Sequence, residues 1–273
     1  MGKSWLLTCA LAIGGGLTGC STSVNDGSVS IPPTTTVPSG TAAPGASSKG
    51  AEHLLGATLR NARSQRSLHY VSTTKTSTIN LTITGDVTKS LGWQTLVNRG
   101  GSTPWVAEVR LVHREAYMRG DVAALKNFFG FTASAAARYA GRWISVVPTD
   151  SYYEAAAAAL TVSSVIDEIA LGKPVSSGGH VTVGGRTLQQ VRGSLAAPAA
   201  RRSTGSAMLT ITASSDPLPV RYSDTFKNTT SGSDSTVLSR WGETVHVVAP
   251  ATSTPLATIT GGGTTTTQPP IAV

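Results

Sequence analysis

Side chains able to do chemistry are few in this sequence and stand far apart. Ser72-Thr73-Thr74-Lys75 fits S-x-x-K, a pattern in which a lysine serves a serine nucleophile at a helix start. Here the stretch is Thr-rich and reads as a strand, and the companion S-D-N and K-T-G elements are missing, since Ser223-Asp224 is followed by Thr225. No G-x-S-x-G elbow and no H-E-x-x-H pair occurs. His53, His69, His113, His180 and His246 are widely separated, so no ligand spacing predicts a metal. Arg119-Gly120-Asp121 reads as a turn leading into a helix cap rather than an adhesion triplet, and Asn80-Leu81-Thr82 as an incidental sequon inside a strand. The expectation is a protein that is not an enzyme and carries no cofactor. The remaining reactive groups are the two cysteines, Cys9 and Cys20.

Both cysteines belong to a distinctive N-terminus. Lys3 gives a short positive start, and Trp5 to Leu17 form an apolar run of signal-peptide length. That run is too short for a comfortable transmembrane helix, and Gly14-Gly15-Gly16 weakens it further. It ends in Leu17-Thr18-Gly19-Cys20, which resembles the lipobox of bacterial lipoproteins. The resemblance implies a signal peptide over residues 1–19 and cleavage just before Cys20. It also implies a thioether-linked diacylglycerol on that cysteine, with palmitate-type chains, and a lipid-anchored place on the extracytoplasmic face of the cell membrane. Two acyl chains meet the two-signal requirement for stable anchoring, at ~0.8 kcal/mol per buried methylene. Cys9 would leave with the leader, so the mature chain would hold one blocked cysteine and no internal disulfide.

The segment beginning at Cys20 is built to span distance. Residues 20–50 are rich in Ser, Thr, Pro and Gly with almost nothing apolar to bury, which predicts a flexible tether with a coil span of roughly 30 Å. Residues 260–273 read as a similar disordered tail, leaving 51–259 as one folded domain. With 40% hydrophobic and 13% charged residues, the 273-residue chain is neither a polyelectrolyte nor a coiled coil. The formal charge of +8 comes from bases scattered singly, the densest being Arg60, Arg63 and Arg66 on one helix and Arg201-Arg202 in a loop. No run resembles a nucleic-acid patch, so no nucleic-acid partner is expected; anionic headgroups of a membrane are the better match.

The domain must position whatever it binds with a mixture of strands and helices. Residues 52–66 put Leu54, Leu55, Thr58, Leu59 and Ala62 on one helical stripe with the arginines opposite. The period then changes to two: Ile79, Leu81, Ile83 and Gly85 alternate with polar residues, as do Trp105, Ala107, Val109 and Leu111. Leu91–Asn98 and Ala116–Arg119 read as further strands. Helices are expected from Asp121, as an N-cap, over Ala133–Tyr139, and through the Ala-rich run after Tyr152-Tyr153. Thr161 or Ser163 could cap the last helix, whose stripe is Val162, Val165, Ile166 and Ile169 and which Gly172 and Pro174 should end. Between them Arg142–Val147 reads as a strand. From His180–Val183 onward, hairpins are expected: Thr187–Arg192 after a Gly184-Gly185 turn, then Ala207–Ala213, Val220–Asp224, Thr236–Trp241 and Thr244–Val248. The sum is an α+β fold, a curved antiparallel sheet of about ten strands covered by an N-terminal helix and an inserted helical cluster.

The order of these parts, with the segments SLHY, REAYMRG, AALKNFF, RWISVVP, GGRTLQQVRG and LPVRYS, resembles the actinobacterial LppX/LprG group of lipoproteins. That group shares a half-barrel with the LolA and LolB lipid carriers. Tyr117-Met118-Arg119-Gly120 matches its short strand before the inserted helices, Arg142-Trp143-Ile144 its strand start, and Leu218-Pro219-Val220-Arg221 its turn into a strand. The tail after residue 259 and several Gly-rich turns depart from the group. The resemblance implies an apolar cavity between sheet and helices that takes acyl chains of a lipid or glycolipid. A sixteen-carbon chain exposes about fifteen methylenes to water at a cost of ~12 kcal/mol, which such a cavity would remove. Candidate lining residues are Leu81, Ile83, Trp105, Val109, Leu111, Leu125, Phe128, Phe129, Val165, Ile169, Leu209 and Ile211. For any one of them ordinary core packing is the stronger reading, because a sequence does not distinguish a filled interior from a hollow one. The alternative function is a non-catalytic interaction lipoprotein with a filled core that binds an envelope protein partner; a hydrolase comes third.

Overall fold

The computed structural model describes residues 48–196, 204–228 and 230–259. Cys20, the expected leader, the expected tether up to residue 47, Arg201-Arg202 and residues 260–273 lie outside the described residues, while residues 48–50, expected as the end of the tether, begin the first helix.

Helix α1 (Ser48–Ser64) buries Ala51, Leu55, Thr58 and Ala62, a stripe of helical period, and Arg60, Arg63 and the adjoining Arg66 are exposed. The chain then enters the sheet at its middle. Strands β1 (Ser67–Thr76), β2 (Asn80–Thr88), β3 (Gly92–Asn98), β4 (Trp105–Val112) and β5 (Glu115–Gly120) form a meander in which alternate residues are buried. Helices α2 (Val122–Asn127) and α3 (Ala133–Tyr139) lead to β6 (Ile144–Val146), a shorter strand than Arg142–Val147. Helices α4 (Tyr153–Ala156) and α5 (Val162–Glu168) then carry the chain to the far edge. From there β7 (Leu171–Val183), β8 (Arg186–Leu195), β9 (Thr204–Thr212), β10 (Pro219–Lys227) and β11 (Ser231–Ser239) meander back until β11 pairs with β1. A two-residue strand β12 (Thr254–Pro255) and helix α6 (Leu256–Ile259) close the described chain.

The result is one open, curved sheet of twelve strands in the order β12-β6-β5-β4-β3-β2-β1-β11-β10-β9-β8-β7. Every pair is antiparallel except β12 with β6. The α+β class and the helix-covered sheet agree with expectation; the strand count is twelve rather than about ten. The helices pack on one face: α1 contacts β7, β10 and α5, while α2 contacts β4, β5 and α3. An ion pair of 2.7 Å from Arg63 to Asp167 ties α1 to α5.

Three local expectations need correction. Gly172 and Pro174 do not act as helix breakers; α5 has already ended at Glu168, and both residues lie within β7. β7 is the edge strand, where a missing N–H is tolerated, and its pairing with β8 shifts register between Gly172 and Ser176 and again between Ser177 and Gly179. The Ala-rich run gives only the four-residue α4, because Ala159 takes φ 52° and its carbonyl is 3.1 Å from the Tyr70 hydroxyl. Tertiary contact overrides a strong helix propensity there. Thr244–Val248 alternates but makes no strand; it pairs with neither edge strand, and Arg110 of β4 holds the Val248 carbonyl at 3.1 Å instead.

Other expectations hold closely. Asp121 caps α2, accepting from Ala124 N at 2.7 Å, and Thr161 rather than Ser163 caps α5 through a reciprocal pair with Ser164. The β7–β8 hairpin turns on Gly184 and Gly185, with φ 57° and 77°, the left-handed pair that a two-residue turn requires.

Candidate functional site

One transverse row of the sheet organises the face beneath the helices. Residues directly opposite on paired strands share a face. The register therefore aligns Asp224 (β10), Asp234 (β11), Thr74 (β1), Leu81 (β2), Asn98 (β3) and Trp105 (β4) in a single rung. Its two ends have opposite character.

At the Trp105 end lies a cleft of about 720 Å³ between α2 and the tips of β2–β4. Its wall is apolar: Ile79, Leu81, Trp105, Val122, Ala123 and Phe128. Its rim is polar, from Thr78, Asn98, Gly100, Gly101, Ser102, Thr103, Lys126 and Asn127. The rings of Trp105 and Phe128 stand 5.0 Å apart, tilted by 33°, and Phe129 meets Phe128 edge-on at 5.0 Å. Asn98 is a fixture of the rim. Its Oδ1 accepts from Asn80 N at 3.1 Å and Gly100 N at 3.2 Å, and its Nδ2 donates to the Gly100 carbonyl at 3.2 Å. One side chain thus joins the two hairpin tips.

The helical wall is held by Asp121. One carboxylate oxygen caps α2 and the other accepts from Val106 N on β4 at 2.9 Å. Gly120 lets the helix come close: a Cβ there would stand 2.7 Å from the Ala124 methyl group. Lys126, in the last turn of α2, is the one ionisable residue on the cleft's lining among the described residues. It is exposed and has no ion-pair partner among the described residues.

At the other end of the rung two carboxylates face each other across β10 and β11. Asp224 accepts from the Tyr222 hydroxyl at 2.7 Å and from Asp234 N at 3.1 Å. Asp234 Oδ1 is buried with no hydrogen-bond partner among the described residues. Burial, then the neighbouring Asp224 charge, pushes the Asp234 carboxyl up to about 7, while the Thr74 hydroxyl opposes the shift and Glu168 adds to it. Burial likewise raises Asp224, against the hydrogen bond from Tyr222. Tyr70, buried on β1, is held far above the usual tyrosine range, chiefly by burial, with its hydroxyl 2.6 Å from Gln94 Oε1.

The structure distributes the expected lining residues unevenly. Leu81, Trp105 and Phe128 line the cleft. Ile83, Val109, Leu111, Leu125, Phe129, Val165, Ile169, Leu209 and Ile211 do not line it and are buried in the hydrophobic core. Ile79, Val122, Ala123 and Lys126 also line the cleft, beyond the residues expected from the sequence. Val122 and Lys126 are one helical turn apart, so the amphipathic spacing of α2 held the signal.

Two motifs find structural roles. Ser72 points inward, accepting from Thr236 Oγ1 at 3.0 Å, while Lys75, an odd number of residues away on the same strand, takes the opposite face. Trp143 lies on the outer face between two guanidinium groups, Arg110 at 4.6 Å and Arg119 at 4.7 Å, which Glu108 bridges. Arg110 also donates to the Val248 carbonyl at 3.1 Å, pinning the irregular segment before β12.

No protein-family model and no curated protein matches the sequence. Solved structures do. LprF from Mycobacterium bovis is 17% identical with a TM-score of 0.49, over 75% of this chain and 98% of that one. The lipoprotein LppX from Mycobacterium tuberculosis is 15% identical with a TM-score of 0.45, over 74% of this chain and 100% of that one. What this chain binds has to be argued from its own cleft.

Proposed function

We propose that this protein is an envelope lipoprotein that shelters acyl chains of a lipid or glycolipid in the cleft between α2 and β2–β4, and carries or presents them. The observation that carries the reading is the cleft itself: about 720 Å³, apolar along its wall save for Asn98, with its other polar groups at the mouth. That volume falls within the range of about 300–1,000 Å³ typical of small-molecule sites. Hydrocarbon needs a wall without unpaired polar groups, and the one inward polar side chain on the rung there, Asn98, has its carbonyl oxygen and one amide hydrogen already engaged. Leu81, Trp105 and Phe128 would touch the chain, and the other expected residues, Ile83, Val109, Leu111, Leu125, Phe129, Val165, Ile169, Leu209 and Ile211, would serve as core of the fold. Lipidation of Cys20 would moor the domain to the extracytoplasmic face of the membrane, and the stretch between Cys20 and α1 would let it reorient between donor and acceptor.

The test is lipid content and uptake by the full-length, membrane-extracted protein. Native mass spectrometry should show co-purifying lipid, and delipidated protein should bind the uncharged hydrocarbon probe diphenylhexatriene. Leu81→Trp, which fills the cleft from its wall, should abolish probe binding without unfolding. Wild-type protein that neither carries lipid nor takes up the probe would overturn the proposal.

A further inference from the structure

Resting on the acyl-binding reading, we infer that the cleft is built for one chain with an anionic head: a single-chain amphiphile whose carboxylate or phosphate is met by Lys126. Two independent observations lead there. The first is volume. A methylene fills about as much space as a water molecule in the liquid, about 30 Å³, so a sixteen-carbon chain needs about 480 Å³ and two such chains about 960 Å³. A cleft of about 720 Å³ takes one such chain with its head, and a second chain would have to project from its open side.

The second observation is charge placement. Lys126 is the one charged residue on the lining; it stands at the mouth, exposed, with no ion-pair partner among the described residues. The other polar groups at that rim, Thr78, Ser102, Thr103 and Asn127, are neutral and can donate to an oxyanion. The opposite end of the same rung is acidic, with Asp234 two strands beyond Thr74's neighbour Leu81 and Asp224 three strands from it, about 10 and 15 Å at the spacing of a sheet. An anionic head finds a cation at α2 and only buried carboxyls at the other end of the rung, which sets the ligand's direction: head at Lys126, tail along Leu81, Trp105 and Phe128.

Free fatty acid and lysophospholipid share this chemistry, and competition against diphenylhexatriene on the full-length, delipidated protein separates them. The competitors are palmitate, hexadecanol, palmitoyl-lysophosphatidate, palmitoyl-lysophosphatidylcholine and dipalmitoylphosphatidylglycerol. Palmitate or lysophosphatidate should compete about fivefold better than hexadecanol, a ~1 kcal/mol effect and the scale of an exposed ion pair. Whichever anion leads identifies the head as carboxylate or phosphate. The two-chain anion should compete poorly. Lys126→Gln should erase the anion preference and leave hexadecanol unchanged, and Lys126→Arg should restore it.

Equal competition by hexadecanol and both anions in the wild type would overturn the charge assignment while leaving acyl binding intact. So would a Lys126→Gln protein that loses hexadecanol and palmitate alike. Equal competition by the two-chain lipid would overturn the one-chain limit. Failure of the probe to bind wild-type protein at all is a different result, and it removes the acyl-binding reading itself.

Discussion

The two ends of the rung from Asp224 to Trp105 occupy the same face of the same sheet, yet one encloses carboxylates and the other an open apolar cleft. The backbone is equivalent at both ends; the difference lies in side chains and in what covers them. At the seam where β11 returns to β1, short polar residues (Ser72, Thr74, Thr236) pack with Asp224 and Asp234, leaving Asp234 Oδ1 buried and unpaired among the described residues. At the cleft, Asp121 ties the start of α2 to β4, and the space between the rest of the helix and the tips of β2 and β3 is lined largely by hydrocarbon. A polar strip stores electrostatic cost, whereas an apolar gap stores unmet hydrophobic contact. Only the second can be relieved by an acyl chain.

The sharpest probe of that difference compares adjacent rungs on β2. Leu81 and Ile83 are both almost inaccessible, at 4% and 2%, but Leu81 borders the cleft and Ile83 does not. Ile83→Ala should cost ~2–5 kcal/mol, the range for opening a cavity in a packed interior. Leu81→Ala should cost less, because the space it vacates joins an existing opening, and it should admit bulkier chains. Urea unfolding of the two variants reads this directly; equal losses would mean that the cleft wall is packed as tightly as the core.

At the seam the probe is pH. The Asp234 carboxyl sits at about 7, above the usual ~3.9 of an unfolded chain. The folded state therefore holds that proton more tightly, so its contribution to stability is present below about pH 4 and is lost as pH rises to about 7. Asp234→Asn, which keeps the shape and removes the ionisation, should raise stability at pH 8 by ~1–3 kcal/mol, the cost of an unsatisfied buried group. It should also flatten the decline between pH 4 and pH 8, leaving the smaller slope due to Asp224. Chemical unfolding at three pH values checks it; an unchanged slope would assign the pH dependence elsewhere.

The two ends of the rung are not equally legible in the sequence. Period-two alternation identifies the strands that build the cleft, and it places Leu81 and Trp105 on the inward face. It cannot reveal that Asp224 and Asp234 face each other, because that contact depends on the register of β10 with β11 and not on either strand's own pattern. β7 is hidden for another reason: its Gly and Pro residues look like breakers, and only its edge position makes them tolerable. Conversely, Thr244–Val248 has a strand's alternation and no partner strand. Local pattern states which residues can face a core, while long-range pairing decides which of them border empty space. Burial of Leu125, Leu209 and Ile211 is thus predictable, and the split between wall and core is not.

Smaller effects are expected from the parts that frame the cleft. Asp121→Ala removes the α2 cap and the link to β4, and should lower stability by ~1 kcal/mol. It should also weaken acyl binding, since the helical wall loses its clamp, and Asp121→Asn should recover most of the cap. Unfolding and probe titration on the two variants separate these losses; a cap loss without any loss of binding would show that α2 does not need fixing for the cleft to work.

The smallest effect on stability belongs to Lys126, and that is its value as a probe. An exposed side chain without an ion-pair partner among the described residues contributes little to the fold, so Lys126→Gln should change stability by less than about 0.5 kcal/mol. Any change in ligand preference in this variant then reports on the ligand and not on packing. Salt supplies an orthogonal reading. Exposed charges are screened over about 10 Å at 0.1 M ionic strength and about 3 Å at 1 M. Palmitate binding to the wild type, measured by titration at the two concentrations, should therefore weaken relative to hexadecanol as salt rises. Lys126→Gln should show no such divergence. A divergence that survives the substitution would locate the attraction in the scattered surface charge of the whole domain, such as the exposed arginines of α1, and would detach head recognition from the cleft.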